Sequence, residues 1–375
     1  MRRGRFFFPL AAAAWVAVSA CHTTRAPIFL SPERWAEEVR KRGVDPTGIP
    51  NPLQVSDVMR QTAAQWAGPG DPPDRLERLQ RALFDPDQFP FTYFTRGTLT
   101  AAEAFFRREG NCLSFTNLFV ALGRSLGIPV TTALVQRVVG SEREGDLIVV
   151  NTHVVAVLEY SGGVYTYDFD RSRRARPARL KPLDDMWITA LYLNNRGADE
   201  LRAAHPDIAL RYFQDAVALA PEFAPAWANL GVAYRRLGDV PKALEAYRRA
   251  LELEPANPTV LSNLASLFRS LGREAEAQQA LRAANLSEAS PHQLLVRGDV
   301  ELAAGRIEAA KQLYRAALRR NPELVDALLA LARAELAQGH VAKAERLVAK
   351  AAKRDPQNPQ AQALAEELAR RRQRE

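Results

Sequence analysis

Residues 221–255 read PEFAPAWANLGVAYRRLGDVPKALEAYRRALELEP, and this stretch decides the architecture of about half the chain. Its apolar and small residues recur at helical spacing, and a proline stands at each end. The frame repeats. Pro221, Pro255, Pro322 and Pro356 lie 34, 67 and 34 residues apart, which is one period, two periods less one residue, and one period. Counting back from each proline aligns Gly197, Gly231 and Gly298 in one column. Ala209, Ala243, Ala277, Ala310 and Ala344 form a second, and Phe213, Tyr247, Leu281, Tyr314 and Val348 a third. Ala216, Ala250, Ala284, Ala317 and Ala351 form a fourth. A period in this range predicts one helical hairpin per unit, with small residues letting the two helices approach and large ones filling the gap. One hairpin cannot bury its own apolar face, so the units must stack.

These columns, with Trp227, Leu230 and Tyr234 in the second unit, resemble the tetratricopeptide repeat (TPR), in five units over 189–356. The third unit departs most, since its terminal proline is missing and Pro291 comes two places late. Residues 357–375 read as a capping helix, with Ala361, Leu364, Ala365 and Leu368 on one face and Arg370, Arg371, Arg372 and Arg374 at its end. The resemblance implies a protein or peptide partner on the concave face and no catalysis. His205, His292 and His340 fall at hairpin turns or between units, where solvation is expected.

Chemistry is expected in residues 85–170. Thr100 and Glu103 have capping-box spacing and open a short helix over 101–108. Asn111 then reads as the N-cap of a second helix, with Phe115, Leu118, Phe119, Leu122 and Leu126 at helical spacing and Gly127 and Pro129 as its stop. Cys112 therefore sits in the first turn of an apolar helix, where free N–H groups and the helix dipole favour a thiolate. Beyond Pro129 the pattern turns to β: a strand over 130–139, a charged loop over 140–146, a β-rich stretch over 147–160 broken near Asn151, and a return after Gly162-Gly163. His153 is the only histidine between His22 and His205, so it is nearly the sole candidate base for Cys112.

Gly110-Asn111-Cys112, the helix ending Leu126-Gly127-Ile128-Pro129, Thr152-His153-Val154-Val155 and Gly163-Val164-Tyr165-Thr166-Tyr167-Asp168 together resemble the transglutaminase-like superfamily. Tyr93, Thr98 and Thr100 to Glu103 fit the region preceding that family's cysteine. The resemblance implies an α+β papain/transglutaminase-like domain, over 55–188, followed by the all-α TPR solenoid. It carries over Cys112 as nucleophile, His153 as general base and acid, and Asp168 as the orienter of the imidazole. Asp170 has the same strand parity and stays open as the alternative. Gln88, Tyr93 and Asn111 are candidates for a second oxyanion donor beside the Cys112 N–H.

The composition suits an ordinary globular chain: 375 residues, 47% hydrophobic and 25% charged, which excludes collagen-like and mostly disordered classes. Two cysteines cannot make a disulfide scaffold. The N-terminus has Arg2, Arg3 and Arg5, an apolar run from Phe6 to Val18, and Val18-Ser19-Ala20-Cys21. That resembles a lipoprotein signal peptide over 1–20, with Cys21 acylated and 21–54 as tether and N-terminal segment. The first 20 residues hold three arginines and no acid, so cleavage would take the net charge from +8 to +5. His22, in place of an aspartate, resembles the pattern that sends proteobacterial lipoproteins to the outer membrane, so a lipid-anchored, periplasm-facing envelope protein is expected. Export argues against nucleic acid as the partner of the C-terminal arginines. The basic stretch from Arg171 to Lys181 reads as a solvated linker or as pairing with acids of the adjacent repeats, with anionic lipid headgroups or an acidic partner as the alternative. No metal cluster, phosphate-binding glycine loop or cofactor is expected. The expected function is amide acyl transfer through a thioester, by a peptidase, amidase or cross-linking enzyme. The alternative is a non-catalytic TPR scaffold or assembly lipoprotein with a vestigial transglutaminase-like domain.

Overall fold

A computed structural model of the chain describes residues 29–94, 97–135, 140–144, 147–151, 153–168, 180–255, 257–283 and 290–372. The segment 1–28 with Cys21 and His22, the segment 169–179 with Asp170 and Arg171 to Arg179, and Ala284 and Arg374 lie outside the described residues.

The N-terminal half is mixed α/β. Helices α1 (Pro32–Lys41), α2 (Asp57–Ala67) and α3 (Pro72–Phe84) lead to the short strand β1 (Thr92–Tyr93). Helix α4 (Ala101–Arg107) follows, opened by the capping box of Thr100 and Glu103. Strand β2 (Glu109–Gly110) pairs in parallel with β1, and helix α5 (Cys112–Ser125) comes next. Strands β3 (Thr131–Val135), β4 (Gly140–Glu144), β5 (Leu147–Asn151), β6 (Val154–Tyr160), β7 (Gly163–Tyr167) and β8 (Leu180–Pro182) complete this half. Four of them form an antiparallel sheet in the order β7-β6-β3-β8. The charged stretch after residue 139 is not a loop: β4 pairs with β5 from Gly140↔Asn151 to Glu144↔Leu147, a hairpin outside the main sheet.

Helix α5 is the axis of this half. Residues 113–123 are all buried, among Leu76, Leu79, Val130, Leu158 and Tyr167. Its rings pack in series, Phe115 stacked on Phe84 at 5.1 Å and Phe119 tilted against Tyr167 at 4.9 Å.

The second half is five helical pairs: α6 (Asp185–Arg202) with α7 (Pro206–Leu219), α8 (Ala224–Arg236) with α9 (Val240–Leu253), α10 (Pro258–Ser270) with α11 (Glu274–Ala283), α12 (Pro291–Ala303) with α13 (Ile307–Arg320), and α14 (Val325–Ala337) with α15 (Val341–Arg354). A last helix, α16 (Pro359–Arg372), buries Ala361, Leu364 and Leu368 against the fifth pair. The first helices touch their counterparts in the next unit, from α6 on α8 to α12 on α14. They line the inner wall of the stack.

The repeat columns have a direct physical cause. A Cβ on Gly197 or Gly231 would stand 2.6 Å from the ring of Phe213 or Tyr247, and one on Gly298 would strike Tyr314. Glycine and ring are one packing unit. In the third and fifth pairs the glycine is Ala265 or Ala332, and the ring opposite is replaced by Leu281 or Val348. The extra methyl and the lost ring offset each other.

The halves share a core. Trp35 of α1 donates its indole N–H to Thr189 of α6 at 3.0 Å, and Arg124 of α5 pairs with Asp185 of α6 at 2.6 Å. No helix among the described residues is long and apolar enough to cross a membrane. Gly231→Ala should destabilise the protein by about 1–3 kcal/mol in chemical denaturation, although alanine is the better helix former. Adding Tyr247→Leu should recover much of the loss, since the pair then copies Ala265 and Leu281.

Candidate active site

The site is built on the start of α5. Asn111 adopts extended backbone, φ −92° and ψ −175°, and its Oδ1 accepts the Ser114 N–H at 3.0 Å. That is an N-cap, and it leaves Cys112 at the first helical position. A Cβ on Gly110 would stand 2.6 Å from Ser114 Cβ, so the close turn into the helix requires glycine there. The cap is part of a buried network. Asn111 Nδ2 donates to Thr98 Oγ1 at 2.7 Å, Ser114 Oγ accepts the Leu99 N–H at 2.8 Å, and the Thr98 N–H reaches Asp199 of α6 at 3.2 Å. Cys112 itself is partly exposed, unlike the eleven residues behind it.

His153 precedes β6 and is buried, with 8% of its surface exposed. Its carbonyl accepts the Val135 N–H at 3.0 Å, continuing the β3–β6 ladder by one rung. Its Nε2 lies 2.9 Å from Asp168 Oδ2. The same imidazole is hydrogen-bonded to Cys112. With Nε2 committed to the carboxylate, Nδ1 is the nitrogen left to face sulfur. Asp168 follows the last residue of β7. Tyr167, paired with Ala156 and buried against Phe119, turns inward and fixes the carboxylate beyond it. Burial holds the Tyr167 hydroxyl protonated, pushing its pKa up to about 12.

The electrostatics favour imidazolium. The Asp168 hydrogen bond first, and the Cys112 hydrogen bond second, raise the His153 pKa to about 9 against the opposing effect of burial. A thiol, an imidazole and a carboxylate in this order can activate sulfur as a nucleophile and then hand the proton to a leaving amine.

Of the residues singled out in the sequence, Cys112, His153 and Asp168 come together. Asp170 and Cys21 lie outside the described residues. Of the oxyanion candidates, Asn111 has its Oδ1 and Nδ2 engaged in the cap, and Gln88 is exposed in the turn after α3. Tyr93 is half-exposed on β1, in register with Gly110 and so beside the turn into Cys112. His205 and His340 sit at helix starts bonded to Glu200 and Glu335, and His292 lies in the first turn of α12. Among the described residues, no three His, Cys, Asp or Glu side chains form a group able to hold a metal ion. Sequence reading missed Thr98 and Asp199 as supports of the cap, because their partners are 13 and 101 residues away.

Family models match this division. Residues 60–162 match the transglutaminase-like superfamily, a span holding Cys112 and His153 and ending before Asp168. Residues 224–257 and 301–368 match tetratricopeptide repeat models. The chain carries a transglutaminase-like domain followed by TPR repeats. Its similar solved structures are TPR proteins or assemblies. PilW, a widely conserved type IV pilus biogenesis factor, is 21% identical over 48% of this chain and 84% of its own, with a TM-score of 0.44. PilF of Pseudomonas aeruginosa is 24% identical over 48% and 83%, with a TM-score of 0.43. YrrB, a TPR protein with an unusual peptide-binding site, is 20% identical over 46% and 90%, with a TM-score of 0.35. No curated protein matched the chain.

His153 carries a linkage. Its folded pKa lies above the ordinary 6.5, so its charged form stabilises the transglutaminase-like domain. That contribution is complete below about pH 6.5 and is lost as pH rises through about 9. NMR titration of His153 should show a midpoint well above 6.5, and Asp168→Asn should bring it down by one unit or more. An unchanged midpoint in that variant would show that Asp168 is not the group holding the charge.

Proposed function

We propose that the transglutaminase-like domain is a cysteine acyltransferase acting on amides, presented on the cell envelope by a lipid anchor at Cys21. The supporting observation is the single imidazole of His153 hydrogen-bonded to Asp168 on one side and Cys112 on the other. In this reading the Cys112 proton passes to His153 first, giving the imidazolium, and the freed sulfur then attacks the amide carbonyl. The C–N bond then breaks, His153 protonates the departing amine, and a thioester remains on Cys112. Water or an amine, deprotonated by His153, resolves the thioester to a carboxylic acid or a new amide. The Cys112 backbone N–H at the start of α5 is placed to donate to the developing oxyanion, with the Tyr93 hydroxyl as second candidate. The solenoid's role is to hold a protein partner, as the TPR match suggests.

The anchor reading rests on the arginines at 2, 3 and 5, the apolar run to Val18 and the small residues before Cys21. Phe29, where the described fold begins, is eight positions after Cys21, so the chain can span at most about 28 Å from the lipid to the body. The proposal therefore places the substrate at or near the membrane surface, in the periplasm and on the outer membrane.

The full chain should release amine from glutamine- and peptide-amide libraries, read by mass spectrometry with and without an added primary amine. Cys112→Ala and His153→Ala should each lower the rate by about a thousandfold or more. Mass gain of the added amine identifies transamidation, and gain of water identifies hydrolysis. A wild-type chain that turns over no amide, and whose Cys112 alkylates at pH 6 no faster than in His153→Ala, would leave the scaffold role of the TPR repeats in its place.

A further inference from the structure

The β4–β5 hairpin lies on the inner wall of the solenoid. Strand β5 rests against α8 and α10, and β4 against α12. The burial of α10 agrees: residues 259–267 are buried without a break. At 100° per residue, nine in a row sample every direction, so no face of the helix meets solvent over this span. By contrast α9, a second helix of its pair, buries only Ala243, Ala246, Tyr247 and Ala250. Part of the covered wall is polar. Asn229 of α8 and Ser262, Asn263 and Ser266 of α10 are each at most 2% exposed.

Two amides on this wall are chemically specific. Asn229 Nδ2 donates to Asn194 Oδ1 at 2.9 Å, joining α8 to α6. Asn229 Oδ1 and Asn194 Nδ2 are buried with no hydrogen-bond partner among the described residues. Each pairs a donor with an acceptor in one plane, the same complement that a peptide group offers. A wall of this kind suits the backbone of an extended strand, with affinity from main-chain groups and selectivity from alternate side chains. The strand next to it carries the apolar β-branched sequence Leu147-Ile148-Val149-Val150.

We propose that the inner wall of α8, α10 and α12 is a strand-binding groove filled by the chain's own β4–β5 hairpin, and that an extended, β-branched-rich polypeptide enters it by displacing that hairpin and loosening His153. The link is short. Strand β5 ends at Asn151, two residues before His153, and the Val135 N–H to His153 carbonyl bond is the base of the hairpin. The next residue, Val154, is buried in the solenoid's core cluster together with Leu113, the neighbour of Cys112. Groove and site thus hold one segment from two ends. The second half of the inference rests on the Cys112–His153 reading; the groove itself does not.

The test uses a synthetic peptide of residues 140–151, the full chain, and a variant in which residues 139–150 are replaced by Asn-Gly. The peptide should bind the variant at least tenfold more tightly than the intact chain, and adding Asn229→Ala to the variant should weaken binding about tenfold. Cys112 should alkylate about tenfold more slowly at pH 7 in the variant. Equal binding to both proteins, or binding to neither, overturns the groove. Fast labelling of the intact chain that hairpin removal leaves unchanged overturns the coupling. Labelling of the intact chain as slow as in His153→Ala overturns only the catalytic reading, and the peptide arm then decides the groove. Hydrogen exchange on the full chain guards against a misfolded variant. Amides 147–151 should be protected, and Asn263→Arg should speed their exchange at least tenfold; exchange at the rate of an open hairpin in the unmodified chain overturns the proposal.

Discussion

The ion pair between Arg124 and Asp185 is the constraint to which the rest of the structure refers. Its side chains are 13% and 6% exposed, and the N–O distance is 2.6 Å. Burial alone pulls the Arg124 pKa down, and the carboxylate opposes it. Breaking such a pair leaves a buried charge uncompensated and typically costs about 3–5 kcal/mol. Four parts of the chain meet here. Arg124 also bonds the Val130 carbonyl at 2.9 Å and lies 4.1 Å over the Phe29 ring, while Asp185 accepts the Leu30 N–H at 2.9 Å. The N-terminal segment, α5, the start of β3 and α6 are fixed by one pair of charges.

The same helix reaches the other end of α5. Asp199 accepts the Thr98 N–H, and Thr98 Oγ1 accepts from the Asn111 cap. From Asp185 to Asp199 is fourteen residues of α6, and from Asn111 to Arg124 thirteen residues of α5 and its cap. At 1.5 Å per residue both spans are about 20 Å. The two helices run in opposite senses, so α6 brackets α5 at both ends. The position of Cys112 along its helix axis is therefore set by the first helix of the solenoid as well as by its own domain.

What the sequence discloses and what it hides follow from the range of the forces involved. The glycine-ring columns, the Thr100–Glu103 box and the Asn111 cap are legible because their partners recur at fixed local offsets. The cysteine, histidine and aspartate are legible because so few residues of those types offer a choice. Strand β4 is hidden: Gly140-Ser141-Glu142-Arg143-Glu144 has almost no strand propensity, and its order comes from pairing with β5 and support from α12. Helix α1 is hidden in a segment read as tether, because only Trp35 and Val39 are buried and their partners lie on α6. Strand β8, three residues ending in Pro182, is defined by its rungs to β3 and by nothing local.

A division of the chain at residue 188 falls within α6, which runs from Asp185 to Arg202. Residues 185–194 of that helix are buried without a break, because α1 covers one side, α7 and α8 others, and the transglutaminase-like domain the remainder. A stack of repeats exposes an apolar face at each end and needs something to cover it. At the far end α16 does so with three buried residues and a charged outer surface. At the near end the cover is α1 together with the domain that carries Cys112. The dependence is mutual. Leu113 and Val154, the residues following Cys112 and His153, are each 1% exposed in the cluster built around α6. The solenoid is thus capped by the domain whose site it completes, and a cut between them would expose the apolar face that each now covers on the other.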